Sequence, residues 1–237
     1  MSQVNVTVAD DAPTAELAAP TSPAAASRFV RADHIEADYS PWRHIARTLA
    51  IAAVLTAGGV ALAVHARVTD WLLLPVFLVI ANLLEWTVHK FPMHQPRPPR
   101  FMYQNHTLLH HVAFTDRNMP IAGAPELGLI MMPWYTMLGL FVVASPVMIA
   151  AGFLRGPGLA GVFLLGAVGY FLSYELLHAL YHLPDATLNR AVIGRSRLFR
   201  WLQAHHRHHH ILSRMAHVNF NVTFPLMDRL LGTFERR

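Results

Sequence analysis

Four long apolar runs place the strongest constraint on what this chain can fold into. They cover residues 48–64, 71–88, 127–154 and 159–177, and each is close to or longer than the ~20 residues with which a helix crosses a bilayer. The first two runs lack the polar face of a surface helix in a soluble protein. With 54% hydrophobic and 14% charged residues, the chain is too apolar for an ordinary soluble domain. The sequence therefore predicts an all-α integral membrane protein with about four transmembrane helices and a helical, histidine-rich cap.

Composition divides the chain into a tail and a membrane domain. Residues 1–42 are rich in Ala, Pro, Ser and Thr and show no apolar period, which is typical of a disordered tail. Residues 43–237 are predicted to form one membrane-embedded domain. Within its third apolar run, Pro133 and Pro146 are expected to kink the helix.

The basic residues predict the orientation in the membrane. Four spans place both termini and the histidine-rich segments on one side, together with all of the 19 Lys and Arg residues except Arg67 and Arg155. The positive-inside rule makes that side cytoplasmic. This asymmetry accounts for the sequence pI of about 10.1 without a nucleic-acid partner, because no basic patch alternates with stacking aromatic residues. Scarce lysine beside abundant alanine and arginine indicates a GC-rich bacterial genome, and hence a bacterial inner membrane.

Four histidine clusters lie on the predicted cytoplasmic side. The chain has no cysteine, so any metal has to be held by nitrogen and oxygen ligands. In the first cluster, rings five residues apart do not share a face of a straight α-helix, but Pro92 can break the helix and let them converge. Pairs at i and i+4 in the second and third clusters do share a face. In chain order the clusters are His89 and His94; His106, His110 and His111; His178 and His182; and residues 205–210.

The last cluster leaves two ligand registers open. On a helix His206 converges with His209 and His210, whereas His205 converges with His208 and His209. We favour the first register, with His205 supporting the ligands from outside. Ten histidines are too many for one ion, and a structural zinc site needs only four ligands. The count therefore favours two metal ions with about five nitrogens each.

Two acidic residues precede histidines near the ends of predicted spans. Glu85 lies one helical turn before His89, and Glu175 lies three residues before His178. A charged carboxylate within a span costs roughly 2.5–3.5 kcal/mol on insertion scales, so such a residue is usually paired or functional. We expect Glu85 and Glu175 to accept the free ring N–H of ligand histidines.

The order of the histidine clusters resembles the sterol desaturase and fatty acid hydroxylase superfamily of membrane enzymes. The pattern H-x4-H, H-x3-HH, H-x3-H, H-x2-HH and the ending at residues 217–233 (HVNFNVTFPLMDRLLGT) carry the resemblance, which covers roughly residues 45–237. The second cluster has three intervening residues where many relatives have two. Met227 stands where relatives often have Trp. Neither departure removes a candidate ligand.

The resemblance implies a non-haem di-iron centre that uses O2 to attack a C–H bond of a lipid, by hydroxylation or desaturation. The substrate would be a fatty acyl chain, a sterol or a related lipid. Electrons would come from a separate donor of the ferredoxin, flavoprotein or cytochrome type. The implied iron ligands are His89, His94, His106, His110, His111, His178, His182, His206, His209 and His210.

Two alternatives remain at the sequence level. A carotenoid-ring hydroxylase shares histidine clusters and small size. A membrane transporter or binding protein for divalent metals would use the same histidines as transient ligands, but it predicts polar residues lined up through the spans. Spans one and three offer almost none. Neither the oligomeric state nor the oxidised carbon follows from the sequence.

Overall fold

The computed structural model describes residues 30–236, and within that range all regular secondary structure is helical, with no strand. Four helices are long and apolar enough to cross a membrane, and we refer to them as spans one to four. The predicted all-helical membrane fold is confirmed. The spans are Pro41–Ala63, Val68–Met93, Thr136–Arg155 and Pro157–Tyr181.

Span four is the central helix of the membrane region. In its most apolar window 56% of the residues are buried inside the protein, against 11–22% in the other three spans. Small residues let span one approach it closely, because a Cβ atom at Gly161 would lie 2.4 Å from the backbone nitrogen of Ala63. Span four ends at Tyr181, and span two ends at the same face of the bundle. The histidines at both of these ends therefore meet.

Span one begins at a well-defined helix start. The Ser40 side chain accepts a hydrogen bond from the backbone N–H of Arg43, and Pro41 occupies the first helical position. Both features favour helix initiation there, since Pro needs no N–H donor in the first turn. At the far side of the bundle, Arg155 pairs with Asp70 at 3.2 Å and joins the two short turns.

The third apolar run is shorter as a helix than the sequence predicts. Residues Ala124–Leu129 form a separate 3-10 helix, and span three begins only at Thr136. Pro133 lies in the irregular connection before the helix, where it lacks the backbone N–H that a continuous helix would need. Pro146 lies inside span three.

The predicted tail of residues 1–42 extends too far along the chain. Residues 1–29 lie outside the described part of the structure. Residues Arg31–His34 form a 3-10 helix, and Arg31 makes four side-chain hydrogen bonds to the segment between spans two and three. The low apolar content of this stretch concealed its order, because the hydrogen bonds of Arg31 to main-chain atoms add to the packing of Ile35 against the core.

The cap consists of short helices that follow spans two and four. The helix Arg197–His209, which we call the histidine helix, is its longest member and begins with Ser196 accepting from the N–H of Phe199. The remaining short helices are Arg100–Tyr103, Gln104–His110, His111–Ala113, Asp185–Leu188, Ile193–Arg195 and Leu226–Leu230.

Candidate metal centre

Ten buried histidines form two compact sets at one end of the bundle. In each set, one ring nitrogen from every member lies within 4.8 Å of the others. The sets are neighbours, since the ring centroids of His111 and His210 are 4.3 Å apart. Set one contains His89, His94, His106, His111 and His209; set two contains His110, His178, His182, His206 and His210.

Set one is built from two π-helical pairs. His89 begins the π-helix His89–Met93, and His94 follows it directly. A second π-helix, Gln104–His110, brings His106 to within 3.1 Å of His111, measured between their Nε2 atoms. A π-helix places residues i and i+5 on one face, so both pairs at that spacing converge. The sequence predicts His106 and His110 as partners on an α-helix, and this pairing is wrong because the wider turn assigns them to different sets.

Set two is built from two α-helical pairs. His178 and His182 lie at the end of span four, and His206 and His210 lie at the end of the histidine helix. Each pair has the i, i+4 spacing that shares an α-helical face. The remaining member of each set comes from a doublet: His110 joins set two beside its neighbour His111, and His209 joins set one beside His210.

Backbone carbonyls fix the orientation of five of these rings. A carbonyl oxygen can only accept, so the Nδ1 atom facing it must carry the hydrogen, and the neutral ring then has a free lone pair on Nε2. In set one, Nδ1 of His89 donates to Phe220 and Nδ1 of His209 donates to Val218. In set two, Nδ1 of His110 donates to the carbonyl of Leu129, Nδ1 of His182 donates to that of Met119, and Nδ1 of His210 donates to that of Phe114.

Burial keeps the rings outside the spans neutral. Desolvation lowers the pKa of His110 to about 4, although its hydrogen bond to Leu129 opposes the shift. Desolvation and then the neighbouring histidines lower the pKa of His106 and His111 well below the usual value. The same direction holds for His94, His182, His206, His209 and His210. Neutral imidazole is the form that binds a metal.

The two sets fit a pair of metal ions better than they fit a hydrogen-bonded core. The Nε2 atoms of His89 and His106 are 2.8 Å apart, and those of His206 and His210 are 3.0 Å apart. Nε2 of His182 is buried and has no hydrogen-bond partner among residues 30–236. Converging lone pairs of this kind leave polar atoms unsatisfied in the interior, which is costly unless a cation binds them. A nitrogen-only donor set suits iron, zinc or copper.

His205 and His208 point away from both sets. His205 contacts the Asp228 carboxylate at 3.2 Å, and His208 contacts Glu235 at 3.3 Å. The structure therefore uses the three histidines of the favoured register, but it does not converge them on one site, since His206 and His210 join set two and His209 joins set one. His205 supports the centre indirectly, because Asp228 also accepts from the backbone N–H groups of Phe220 and Asn221.

Glu85 and Glu175 do not have the role that the sequence predicts. In the described residues, the hydrogen bonds of both carboxylates go to groups other than histidine. Glu85 accepts from the N–H groups of Val222 and Thr223, at 2.5 and 3.1 Å. Glu175 accepts from the N–H of Met132 at 3.3 Å, and its Oε2 atom is buried without a partner in that part of the chain. Backbone carbonyls take the place that was predicted for the acids.

A segment near the C-terminus, residues 218–223, is the functional element that sequence reasoning missed. We call it the clamp segment. Its carbonyl groups at Val218 and Phe220 face set one, and its N–H groups face Asp228 and Glu85. The Asn-rich pattern of residues 217–223 was a signal of family resemblance, but only the fold reveals that it orients the histidines.

Comparisons with known proteins identify the family of the chain. The fatty acid hydroxylase family profile matches residues 74–233, which is more than half of the chain, so the protein belongs to the fatty acid hydroxylase family. The predicted resemblance is confirmed. No curated protein matches the chain by sequence.

A solved structure described as full-length scs7p, with only the hydroxylase domain visible, has the same fold. It is 18% identical, with a TM-score of 0.55, and the match covers 80% of this chain. This chain accounts for 66% of the length of that one. The likeness supports the helical membrane architecture described above.

Proposed function

We propose that the protein is a membrane di-iron oxidoreductase that uses O2 to hydroxylate a C–H bond of a membrane lipid. The observation that carries this proposal is the pair of five-histidine sets, each with converging ring nitrogens, in a chain of the fatty acid hydroxylase family. The ten histidines of sets one and two would hold the metals. When bound, two irons would supply the activation of O2 and the oxidation of an unactivated C–H bond.

An apolar cavity supports a lipid substrate. It has a volume of about 200 Å³ and lies among spans two, three and four. Its lining reaches His89 and Met93 at the histidine end and Phe77 and Phe163 deeper in the membrane region. A hydrocarbon chain in this cavity would be shielded from water, and its reacting carbon would lie beside set one. Exclusion of water also protects a reactive site from side reactions.

A second cavity approaches the histidines from the cap. It has a volume of about 260 Å³ and reaches His106 of set one and His110 of set two. Met93 and Met132 line both cavities, so a lipid with an apolar chain and a polar end has space on both sides of these methionines. Polar residues such as Arg43 and Arg47 line this second cavity.

The reducing electrons would come from a separate acidic donor protein of the ferredoxin, flavoprotein or cytochrome type. Exposed arginines at the histidine end of the molecule support such a partner, because opposite charges steer association. They include Arg190, Arg195, Arg197, Arg214 and Arg229. The sequence orientation places this face in the cytoplasm of a bacterial cell, which stays a prediction.

The test is metal analysis of protein purified without a histidine-affinity step, together with mass spectrometry of lipids from expressing cells. We expect about two irons per chain, the count that two five-nitrogen sets favour, and an O2-dependent gain of one oxygen in a lipid. The control is His178→Ala, which removes a member of set two. Zinc in place of iron, without any lipid change, would refute the proposal and favour a metal-binding protein or transporter. Loss of two hydrogens would indicate desaturation, and an oxidised carotenoid would indicate the ring hydroxylase.

Filling the apolar cavity tests where the substrate lies. Ala144 and Ala167 line it away from the histidines. We expect Ala144→Trp and Ala167→Trp to abolish lipid oxidation while the iron content stays at the wild-type level. Unchanged oxidation in both variants would show that the chain does not occupy this cavity.

A further inference from the structure

The loop of residues 113–129 orients most of set two. Its carbonyl groups at Phe114, Met119 and Leu129 accept hydrogen bonds from Nδ1 of His210, His182 and His110. The loop also donates backbone hydrogen bonds to two of these histidines. The N–H of Ile121 donates to the carbonyl of His182 at 2.8 Å, and the N–H of Asp116 donates to that of His210 at 3.2 Å. The position of this loop therefore sets the direction of three ring planes.

Arg31 holds the same loop from its outer side. Its guanidinium donates to the carbonyls of Ala113 at 2.8 Å, Asn118 at 2.5 Å and Pro120 at 2.9 Å. It also pairs with Glu126 at 2.8 Å. Five N–H donors in a rigid plane allow one guanidinium to serve all four acceptors, which a lysine amine cannot do.

The carbonyls bound by Arg31 alternate with those that face the histidines. Residue 113 accepts from Arg31 and residue 114 accepts from His210. Residue 118 accepts from Arg31 and residue 119 accepts from His182. The two kinds of contact fall on directly neighbouring peptide groups, so holding one carbonyl in place restricts the carbonyl next to it.

Packing joins the same groups. The Arg31 guanidinium lies 4.0 Å from the ring centroid of Phe114, and that ring is fully buried. The Phe114 ring in turn lies 4.9 Å from the ring of His182 and 5.5 Å from that of His110. The Arg31 side chain is only 11% exposed. Its hydrogen bonds to Ala113 and Glu126 are partly buried, and those to Asn118 and Pro120 lie at the surface.

We propose that Arg31 is a positioning residue for the metal site of set two. It acts through loop 113–129 and leaves set one unaffected, because set one is oriented by the clamp segment. This role rests on the proposed function, since it assumes that set two binds a metal. Arg31 lies outside residues 74–233, which the family match covers.

The experiment compares Arg31→Gln, Arg31→Lys and Glu126→Gln with the wild type. The matched control is Arg67→Gln, because Arg67 is exposed and lies in the short turn between spans one and two, at the opposite end of the bundle. The readouts are iron per chain, the rate of iron release to a chelator, and hydrogen exchange in the metal-free protein. The two peptides to follow cover residues 114–121 and 218–223.

We expect Arg31→Gln to release about half of the iron at least ~10-fold faster, the lower end of the cost of losing a group that orients a ligand. The other half should leave at the wild-type rate. Exchange at residues 114–121 should rise and exchange at 218–223 should not. The rate of iron release in Arg31→Lys should lie between those of the wild type and Arg31→Gln. Glu126→Gln should change the rate little, because the three carbonyl contacts of Arg31 remain.

Three outcomes would overturn the proposal. One is wild-type iron release and wild-type exchange in Arg31→Gln. Another is an equal acceleration of both irons, or a rise of exchange in both peptides, since either marks Arg31 as a residue of general stability. The third is an Arg31→Lys variant that is no better than Arg31→Gln. A wild-type protein without iron would instead refute the proposed function, and the metal-free exchange would still test the link between Arg31 and the loop.

Discussion

The two histidine sets present the same atoms but are built in different ways. Set one joins two pairs at i, i+5 on π-helices, and set two joins two pairs at i, i+4 on α-helices. Each set takes its fifth member from a doublet that it shares with the other. Two kinds of helical turn therefore bring ten rings from one end of a bundle into two adjacent groups.

The supports behind the two sets carry opposite charges. Carboxylates hold the clamp segment by its N–H groups, so its carbonyls are free to face set one. A guanidinium holds loop 113–129 by the carbonyls of Ala113, Asn118 and Pro120, while the carbonyls of Phe114 and Met119 face set two. A carboxylate and a guanidinium can thus both hold a segment whose remaining carbonyls face histidines.

The largest effect is expected from two neighbouring histidines that belong to different sets. Loss of a ligand should cost more than loss of a group that orients one, which typically costs 10–100-fold, so we expect lipid oxidation to fall at least ~100-fold in His209→Ala and in His210→Ala. Each variant should retain a different iron, distinguishable by Mössbauer spectroscopy. Identical spectra in the two variants would contradict the assignment of His209 and His210 to different sets. His217→Ala is the control, because His217 is exposed and lies outside both sets.

Asp228→Asn should weaken the binding of iron by set one alone. The Asp228 carboxylate accepts from His205 and from the backbone N–H groups of Phe220 and Asn221, and hydrogen bonds to a charged group contribute about 1.5–3 kcal/mol, so the variant should lower the free energy of unfolding by about that amount. We expect iron in set one to bind roughly 10-fold more weakly, while iron in set two binds normally. Unfolding in mixed micelles and stepwise iron titration measure the two effects. Equal weakening of both sites would contradict the separate supports.

Acid should reduce the difference in the free energy of unfolding between the wild type and Asp228→Asn. Burial raises the pKa of the Asp228 carboxyl, but hydrogen bonds from His205, Thr233 and the Asn221 backbone outweigh this and lower it below 3.8. A depressed carboxyl pKa contributes stability that is present above 3.8 and is lost as the pH falls through the folded-state value. We therefore expect the stability gap between metal-free wild type and Asp228→Asn to be constant at neutral pH and to shrink below pH 3.8. A gap that grows on acidification would show that Asp228 is not the stabilised carboxylate.

Sequence reasoning identified the histidines of the two sets more reliably than the groups that orient them. Spacing, span ends and the absence of cysteine indicated a histidine metal centre, and the family resemblance singled out His89, His178 and their eight companions. The division into sets depends on π-helical turns at His89–Met93 and Gln104–His110, which ordinary helical periodicity does not predict. The orienting groups are backbone carbonyls, which carry no side-chain signature at all. Arg31 was placed in a disordered tail for the same reason, since its contacts are made to main-chain atoms.

The smallest effects are expected from the two acids within the spans, and they test the asymmetry of the supports. The sequence predicts equal roles for Glu85 and Glu175. Glu85 accepts from two backbone N–H groups and from the Thr223 hydroxyl at 2.7 Å, whereas Glu175 accepts from one N–H at 3.3 Å. Hydrogen bonds to charged groups contribute about 1.5–3 kcal/mol and neutral ones about 1, so Glu85→Gln should cost about 1–2 kcal/mol.

For Glu175→Gln we expect a change below about 0.5 kcal/mol, because only one long hydrogen bond is at stake and the amide oxygen can still accept it. Unfolding in mixed micelles measures both variants, and chelator release of iron shows which set is affected. Glu85→Gln should speed release from set one through the clamp segment, and Glu175→Gln should leave both rates unchanged. If Glu175→Gln instead released iron from set two, Glu175 would act on His178 from one turn away. A carboxylate would then support set two as well as set one.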